Sequence, residues 1–436
     1  MIQLFVYTEK ITSRVEFILS TLLQAGGVAG FKITADQQSY INYSGPKINY
    51  SKISVDQNEV HILPVELLFE TGIKAQRVEV FRWKELPAFY KSEGKDIPFD
   101  LFAASFYLLS RYEEYLPHKL DMYGGYAHEN SLAYEHKFLL LPLVNLWLKE
   151  FAQLLQQRFP ALSLQPATFI FVPTYDIDIA WSYLGKGLLR NAGGLFRSIA
   201  RGHWAAARER ANVLLQEQKD PFDSYDWLDS LHARLNLKPT YFFLMASKNK
   251  DYDKNILPSN PRFRQLVKRI ADKYSVGIHP SWQSGDDKQL VIQERDVLRQ
   301  ITTLPITKSR QHYIRMKLPG TYRILINAGI VEDYSMGYGS VNGFRASYCL
   351  PYKWYDLENE ATTPLVIYPF CYMETNSFYE QKLSVEEARQ ELEHYYNVTK
   401  DVNGLLSTIW HNHFLGTDKM FAGWREMYEG FLTKYF

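Results

Sequence analysis

Two carboxylates stand two residues apart directly after an apolar segment of the chain. Asp176 and Asp178 belong to the stretch TYDID at 174–178, which follows the apolar run 167–172. One carboxylate of such a pair can bind a cation while the other removes a proton from a water molecule, because the cation keeps both groups ionised and lowers the pKa of the water. Aspartate pairs also form ordinary turns, so this pair alone does not define a site.

Two histidines occupy comparable positions at the ends of other apolar segments. His279 lies in GIHPSW at 277–282, and His411 lies in TIWHNH at 408–413. An imidazole can bind a metal or move a proton near neutral pH. A single histidine after a strand is more often a hydrogen-bonded structural residue. Three strand ends that carry Asp, His and His are harder to dismiss together, and they indicate one site.

The pattern after residue 165 predicts the elements that would hold these side chains. Short apolar runs end in polar residues and alternate with helical stretches, which is typical of repeated βα units. The predicted strands are 168–175, 240–245, 275–279, 312–316, 329–333, 365–372 and 405–410. The predicted helices are 262–273, 288–300, 320–327 and 384–397. A parallel barrel of seven strands would gather the strand ends, because chemistry in such barrels sits at their carboxyl edge.

A chain of 436 residues exceeds what one hydrophobic core usually serves. We therefore expect an N-terminal α/β accessory domain over 1–160 and a larger domain over 165–436. The first domain includes an apolar helical stretch at 100–116 that carries Glu113 and Glu114. An adjacent acidic pair invites a catalytic interpretation, but a solvated or interdomain helix face is the expected one.

The segment 165–436 resembles the polysaccharide deacetylase (NodB-like) family of metal-dependent carbohydrate esterases. The resemblance implies an α/β fold with a distorted seven-stranded (β/α) barrel. It also implies that Asp176 is the catalytic base, that Asp178 and His279 bind the metal, and that His411 protonates the departing amine. The N-terminal part resembles the domain that accompanies one subgroup of this family, and no activity is implied for it.

The sequence departs from the family pattern at one ligand. Gln283 stands where members usually have a second histidine, so the third protein ligand is absent from its expected position. His312 is the predicted substitute, because Arg310 and His312 would share one face of a strand. The resemblance makes Arg310 the residue that orients the base. The segments 333–338 and 343–346 are similar to the family region that lines the site.

Composition limits the partners and cofactors. Lys plus Arg (49) nearly equals Asp plus Glu (48), which argues against a nucleic-acid partner. Only two cysteines occur, so a metal would rest on histidines and carboxylates. The family resemblance implies a divalent metal, Zn first, with Co, Ni or Mn as alternatives. It also implies an N-acetylated saccharide as the substrate. The oligomeric state is left open.

The sequence predicts a cytoplasmic protein. Residues 1–7 alternate like a strand and lack the basic and apolar regions of a signal peptide. The most apolar run, 138–148, is about half the ~20 residues that cross a bilayer, and it predicts a buried helix instead.

The segment 185–210 is distinctly basic, with a single acidic residue at Glu209. The expected structure is a solvated helical pair that covers the larger domain. The alternative is a surface for a phosphate-bearing or lipid-linked substrate, or for weak contact with an anionic membrane.

The favoured function is a metal-dependent hydrolase that removes N-acetyl groups from an amino sugar in a saccharide or polysaccharide precursor. A first alternative is a catalytically impaired carbohydrate-binding module on a deacetylase fold, suggested by Gln283. A second is a glycoside hydrolase that uses Asp176 with another acid such as Asp333, which requires two carboxylates across one glycosidic bond.

Overall fold

The computed structural model describes residues 3–436. The first two residues of the predicted strand 1–7 lie outside the described residues. The elements of the N-terminal part are β1 (Leu4–Thr8), α1 (Ser13–Ala25), β2 (Phe31–Thr34), α2 (Gln37–Asn42), β3 (Lys47–Tyr50), β4 (Val60–His61), β5 (Phe81–Trp83), β6 (Leu86–Ala88), α3 (Leu101–Leu109), α4 (Leu132–Glu135) and α5 (Leu143–Arg158).

The remaining chain continues the alternation of strands and helices. Its elements are β7 (Ile170–Ile177), α6 (Leu188–Ala200), α7 (Trp204–Leu214), α8 (Tyr225–Leu235), β8 (Thr240–Leu244), α9 (Pro261–Ala271), β9 (Ser275–His279), α10 (Lys288–Thr302), β10 (Lys308–Ser309), α11 (Gly320–Asn327), β11 (Glu332–Asp333), β12 (Tyr352–Asp356), β13 (Ala361–Ile367), β14 (Tyr372–Met373), α12 (Val385–Asp401), β15 (Leu405–His411) and α13 (Trp424–Tyr435).

A small parallel sheet organises the N-terminal part. Its strands lie in the order β2-β1-β3-β4. Helix α1 begins after Thr12, whose hydroxyl accepts a hydrogen bond from the Val15 N–H and so satisfies one free donor of the first turn. The residues that α1 buries include Val15, Ile18 and Leu22, spaced by three and four. This spacing places them on one helix face, which therefore faces the core.

A nine-stranded sheet organises the rest of the described chain. Its order is β12-β13-β11-β10-β9-β8-β7-β15-β14, and every pairing is parallel except the antiparallel pair β12–β13. The mixed α/β class and the parallel sheet agree with the sequence prediction. The predicted seven-stranded barrel is not confirmed, because no pairing in residues 3–436 joins the two end strands β12 and β14.

The register of the central strands brings polar side chains to one edge of this sheet. Asp176 in β7 lies opposite His411 in β15. Across β8, Ile177 is level with Phe243 and then with Ile278. The next residues on these strands, Asp178 and His279, therefore end level with one another.

Most predicted strands and helices occur within a few residues of their expected bounds, but the predicted strand 365–372 is divided between the separate strands β13 and β14. The predicted strand 312–316 is wrong, because the strand of this region is β10, Lys308–Ser309. His312–Ile314 instead forms a short 3₁₀ turn in which Tyr313 has a φ of 57°. A left-handed residue cannot continue a strand. Arg310 and His312 thus follow the strand and do not share one of its faces.

Among residues 3–436, no helix combines the length and the apolar character that crossing a bilayer demands. The basic segment 185–210 contains α6 and most of α7, in agreement with the predicted helical pair.

Candidate metal centre

The candidate site lies at the carboxyl edge of the nine-stranded sheet. Asp178 follows β7 directly, while His279 and His411 are the last residues of β9 and β15. Asp176, His279 and His411 are at most 6% exposed. All six residues that the sequence suggested for the site, Asp176, Asp178, His279, Arg310, His312 and His411, are joined here by the contacts described below.

Three of these residues form a group that could hold a metal ion. Asp178, His279 and His312 each offer one ligand atom, and these atoms lie within 4.8 Å of one another. His279 Nε2 is 3.2 Å from Asp178 Oδ1, and His312 Nε2 is 3.4 Å from Asp178 Oδ2. Asp178 Oδ1 is buried and accepts no hydrogen bond. A buried carboxylate oxygen without a donor is costly unless a cation or proton completes it.

The other nitrogen of each ligand histidine is held by a fixed acceptor. His279 Nδ1 lies 2.6 Å from the carbonyl oxygen of Arg310. His312 Nδ1 lies 2.9 Å from Oδ1 of the fully buried Asp253. An Nδ1–H that donates to oxygen leaves the Nε2 lone pair free and aims it, which is the arrangement of metal-binding histidines. One carboxylate and two imidazoles are a donor set that could hold a divalent metal ion.

The charges in the group favour a cation. Burial raises the pKa of Asp178, but the charged imidazoles of His312 and His411 outweigh it and hold that pKa well below its usual range. Burial lowers the pKa of His312, but the Asp178 carboxylate outweighs it and brings the value to about 9. The carboxylate is thus balanced here by protons on the imidazoles. A metal bound at Nε2 of His312 would take the place of the proton on that ring and supply the positive charge.

Arg310 fixes the orientation of Asp176. Its Nη1 donates to Asp176 Oδ1 at 2.8 Å, and its Nε donates to the carbonyl oxygen of Tyr334 at 3.0 Å. The guanidinium lies 4.5 Å from the ring centre of Phe242. That ring takes the space that a side chain on Gly277 would need, because a Cβ there would lie 2.6 Å from it. The second oxygen of Asp176 remains 3.8 Å from His279 Nε2, on the side of the ligand group.

His411 approaches the same group from β15, which lies beside β7 on the side away from β8. Its Nε2 is 3.4 Å from Asp178 Oδ2, and its Nδ1 is 2.7 Å from Oε1 of the buried Glu374. Burial lowers the pKa of His411, but the Glu374 carboxylate outweighs it and raises the pKa to about 10. The imidazole therefore holds a proton that its Nε2 can give up to a group in the cavity.

Glu374 and Asp253 were not identified from the sequence. Glu374 follows β14 directly, so its position after an apolar run is the same signal that identified Asp176. Asp253 lies in the long connection after β8 and carries no comparable signal. Gln283, in place of the expected histidine, donates from Nε2 to Asp253 Oδ2 at 2.8 Å. It therefore contacts the hydrogen-bond partner of His312.

Asp333 does not serve as a second acid in this site. It is fully buried and accepts hydrogen bonds from the Ser309 and Ser335 hydroxyls at 2.8 and 2.9 Å. It does not line the cavity described next. The glycoside hydrolase alternative that paired Asp176 with Asp333 therefore lacks its second carboxylate.

A cavity of about 440 Å³ opens over the ligand group. Besides the site residues, four tyrosines line it: Tyr123, Tyr252, Tyr313 and Tyr379. A larger cavity of about 690 Å³ lies between α1 and the strands β12 and β13, but no histidine or aspartate lines it. The smaller cavity is the candidate site, because the group of Asp178, His279 and His312 lines it, whereas Glu16 is the single carboxylate among the residues that line the larger one.

Fold and site together define a mixed α/β protein with parallel sheets and a group that could hold a metal ion. A family model described as a family of unknown function (DUF7033) matches residues 4–160. No curated protein matches the chain.

Several solved structures are similar to this chain, and three of them are described here. A candidate polysaccharide deacetylase from Mycobacterium smegmatis is 13% identical, with a TM-score of 0.39 over 62% of this chain and 86% of its own. A polysaccharide deacetylase from Bacillus cereus is 11% identical, with a TM-score of 0.29 over 61% of this chain and 88% of its own. A GH138 enzyme targeting pectin rhamnogalacturonan II is 9% identical, with a TM-score of 0.24 over 97% of this chain and 59% of its own.

Proposed function

We propose that the chain is a metal-dependent carbohydrate N-deacetylase, a hydrolase that releases acetate from an N-acetylated amino sugar. One observation carries the proposal. Around a single cavity, the ligand atoms of Asp178, His279 and His312 lie within 4.8 Å of one another, and Asp176 and His411 flank them. Hydrolysis of an amide needs polarisation of the carbonyl, a base for water and an acid for the amine, and the site offers a group for each.

Asp178, His279 and His312 are the proposed metal ligands. A divalent cation bound there, Zn first and Co, Ni or Mn as alternatives, would polarise the acetyl carbonyl and lower the pKa of a water molecule. Asp253 and the Arg310 carbonyl hold the two imidazoles in the ligand orientation through their Nδ1 atoms.

Asp176 is the proposed catalytic base. Arg310 binds one of its oxygens and leaves the other turned toward the ligand group. In this position the free oxygen accepts the proton of the attacking water as the water adds to the acetyl carbon. Arg310 also offsets the negative charge that Asp176 brings to the site.

His411 is the proposed general acid. Glu374 binds its Nδ1 and keeps it protonated, so Nε2 carries a proton that can pass to the amine nitrogen of the sugar. The carbon–nitrogen bond breaks as the nitrogen gains that proton, and acetate and the free amino sugar result. His411 lies in the β15 strand next to Asp176 of β7, so acid and base act on the same small region of the cavity.

The four tyrosines that line the cavity suit a sugar ring, because a sugar presents apolar C–H faces to aromatic rings and hydroxyls to phenol groups. The binding-module alternative rested on Gln283. His312 lies in the ligand group although Gln283 does not, so the departure from the family pattern does not by itself leave the site short of a ligand.

Acetate release from N-acetylated oligosaccharides tests the proposal. We expect the chain, loaded with Zn, Co, Ni or Mn, to release acetate, and chelation to abolish the release. Asp176→Asn should lower kcat by about 10²–10⁴-fold, the usual contribution of a general base, and should keep the metal. Asp272→Asn makes the same chemical change at an exposed helix end and should leave kcat as it was. A metal-loaded chain that binds the saccharide without releasing acetate would favour the binding module.

A further inference from the structure

A second, smaller cavity adjoins the metal centre. It has a volume of about 330 Å³ and shares Ile179 and Lys254 with the wall of the first cavity. Its other lining residues come from the β7–α6 connection and from the two basic helices: Ser182, Lys186, Arg190, Asn191, Gly194 and Arg210. A molecule that occupies the metal centre can therefore extend into this cleft, which we call the cationic cleft.

Four cations line the cationic cleft: Lys186, Arg190, Arg210 and Lys254. Within residues 3–436, none of their nitrogens lies within 4.0 Å of a carboxylate oxygen. The two acidic residues nearby have other partners. Asp220 accepts the N–H groups of Ser182, Tyr183 and Leu184, and Glu209 accepts the Tyr183 hydroxyl. The cleft thus concentrates positive charge that no carboxylate contacts directly.

The position of Arg210 depends on a glycine. A Cβ on Gly194 would lie 1.5 Å from Arg210 Nη1, so only glycine lets the guanidinium rest against α6. Nη1 donates to the Asn191 carbonyl oxygen at 3.1 Å, and the guanidinium lies 4.9 Å from the ring centre of Tyr183. Arg210 Nε is buried without an acceptor. A held guanidinium with a free donor is suited to bind an anion.

The environment of Lys186 supports the same interpretation. Burial is the main cause that lowers the pKa of its ammonium group; Asp220 opposes it, and the charges of Arg190 and Arg210 lower the pKa further. An anion in the cleft would relieve this repulsion, because it would interact favourably with all three cations.

We propose that the cationic cleft binds a phosphate or diphosphate group attached to the N-acetylated sugar. The proposal rests on the proposed deacetylase function for the sugar and extends it to the substrate class. Phosphate oxygens match the donors of arginine forks and lysines. Because the two cavities share a wall, one sugar phosphate conjugate can place its acetamido group at the metal centre and its phosphate in the cleft.

The phosphate can be carried by a nucleotide or by a lipid. The helices that form the cleft also expose large apolar side chains to solvent: Leu188 (89%), Leu189 (92%), Phe196 (74%) and Trp204 (66%). Most exposed surfaces do not group such side chains beside basic ones, and this combination suits the headgroup region of an anionic bilayer. The lipid carrier is therefore the expected source.

Binding of inorganic diphosphate to the chelator-treated full chain tests the cleft without turnover. Arg210→Ala should weaken binding, measured by titration calorimetry, by about 10-fold, the usual effect of losing a charge-assisted hydrogen bond. Gly194→Ala keeps every charge but displaces the Arg210 guanidinium, so it should weaken binding as well. Arg197→Ala removes the same charge from the exposed surface of α6 and should leave the affinity unchanged. Equal weakening by Arg197→Ala, or no binding to the unmodified chain, would overturn the proposal.

Turnover of the metal-loaded chain separates this proposal from the proposed function. We expect kcat/KM to be about 10-fold or more higher for an N-acetylhexosamine diphosphate than for the free sugar, and Arg210→Ala to reduce this preference. Acetate release without any preference would overturn the cleft and leave the deacetylase standing. Diphosphate binding that depends on Arg210, without acetate release from either substrate, would do the reverse. Comparing a nucleotide-linked sugar with a lipid-linked one in phosphatidylglycerol vesicles identifies the carrier.

Discussion

Two of the clusters of buried charged side chains within residues 3–436 form a contrast, because one of them lines the cavity over the candidate site and the other does not. The first joins Arg111, Glu113 and Glu114 of the N-terminal part to Arg345 of the second half. Glu114 accepts from Arg111 Nε at 2.7 Å and from Arg345 Nε at 2.8 Å and Nη2 at 2.6 Å. Glu113 accepts from Arg111 Nη2 at 2.7 Å and from the Leu132 N–H at 3.0 Å. Every carboxylate oxygen of this cluster has a donor.

The second cluster is the candidate metal centre, and its interactions are incomplete. Asp178 Oδ1 has no donor, and the Nε2 atoms of His279 and His312 point at the same small volume. The cavity of about 440 Å³ opens over it. The comparison teaches that burial and charge alone do not mark chemistry. A cluster whose carboxylate oxygens all have donors stabilises the fold, and a cluster that leaves ligand atoms free beside a cavity is a candidate for acting on a substrate.

Substitution of Glu114 in the first cluster should have the largest effect on stability among the changes described here. Glu114→Gln leaves Arg111 and Arg345 buried without their shared carboxylate, which typically costs about 3–5 kcal/mol. We expect the free energy of unfolding, measured by urea denaturation at pH 7, to fall by that order. Metal binding by the folded variant should persist, because none of these residues belongs to the ligand group.

The contribution of Glu114 to stability should depend on pH. Burial raises the pKa of Glu114, but Arg345 and Arg111 outweigh it and lower the pKa from 4.5 to about 2. A carboxyl group whose pKa is lower in the folded state stabilises the protein above its unfolded pKa and loses that contribution as the pH falls toward the folded value. The stability difference between the unmodified chain and Glu114→Gln should therefore shrink from pH 5 to pH 2. Glu129→Gln, at an exposed position, is the control, and a difference that stays constant would contradict the account.

A smaller effect is expected at the candidate metal centre when the changed residue orients a ligand and is not a ligand itself. Asp253→Asn weakens the hydrogen bond that orients His312, and loss of such a partner typically costs about 10–100-fold in metal affinity. Competition with a chromophoric chelator measures the change. Asp287→Asn, at the exposed N-terminus of α10, should bind the metal as the unmodified chain does. If Asp253→Asn bound the metal as tightly as the unmodified chain, the proposal that Asp253 orients His312 for metal binding would be wrong.

The sequence predicted the parts of the site that follow long strands. Asp176, Asp178, His279 and His411 each stand at the end of an apolar run, and the parallel register of β7, β8, β9 and β15 makes such ends meet. The periodicity of the chain therefore places the residues, and the family resemblance supplies roles for them. The roles themselves remain proposals.

The rest of the site depends on three-dimensional contacts that no local sequence pattern indicates. His312 lies near the other site residues as expected, but the predicted reason was wrong. It projects from a turn that contains a left-handed Tyr313 and not from a strand. Asp253 reaches it from a connection more than fifty residues away in sequence, which spacing cannot reveal. Glu113 and Glu114, expected on a solvated or interdomain helix face, are buried, and Glu114 pairs with Arg345, a partner distant in the chain. The sheet contains two-residue strands such as β10 and β11, which are too short to alternate detectably.

The metal content of the purified full chain tests the central claim most directly. The chain would be incubated with Zn, Co, Ni or Mn, freed of excess ion and analysed by elemental mass spectrometry, with Asp178→Ala treated in parallel. We expect about one equivalent of metal in the unmodified chain, as for a catalytic site with three protein ligands, and none in the variant. An unmodified chain that retains no metal, or a variant that retains as much, would contradict a metal centre formed by Asp178, His279 and His312.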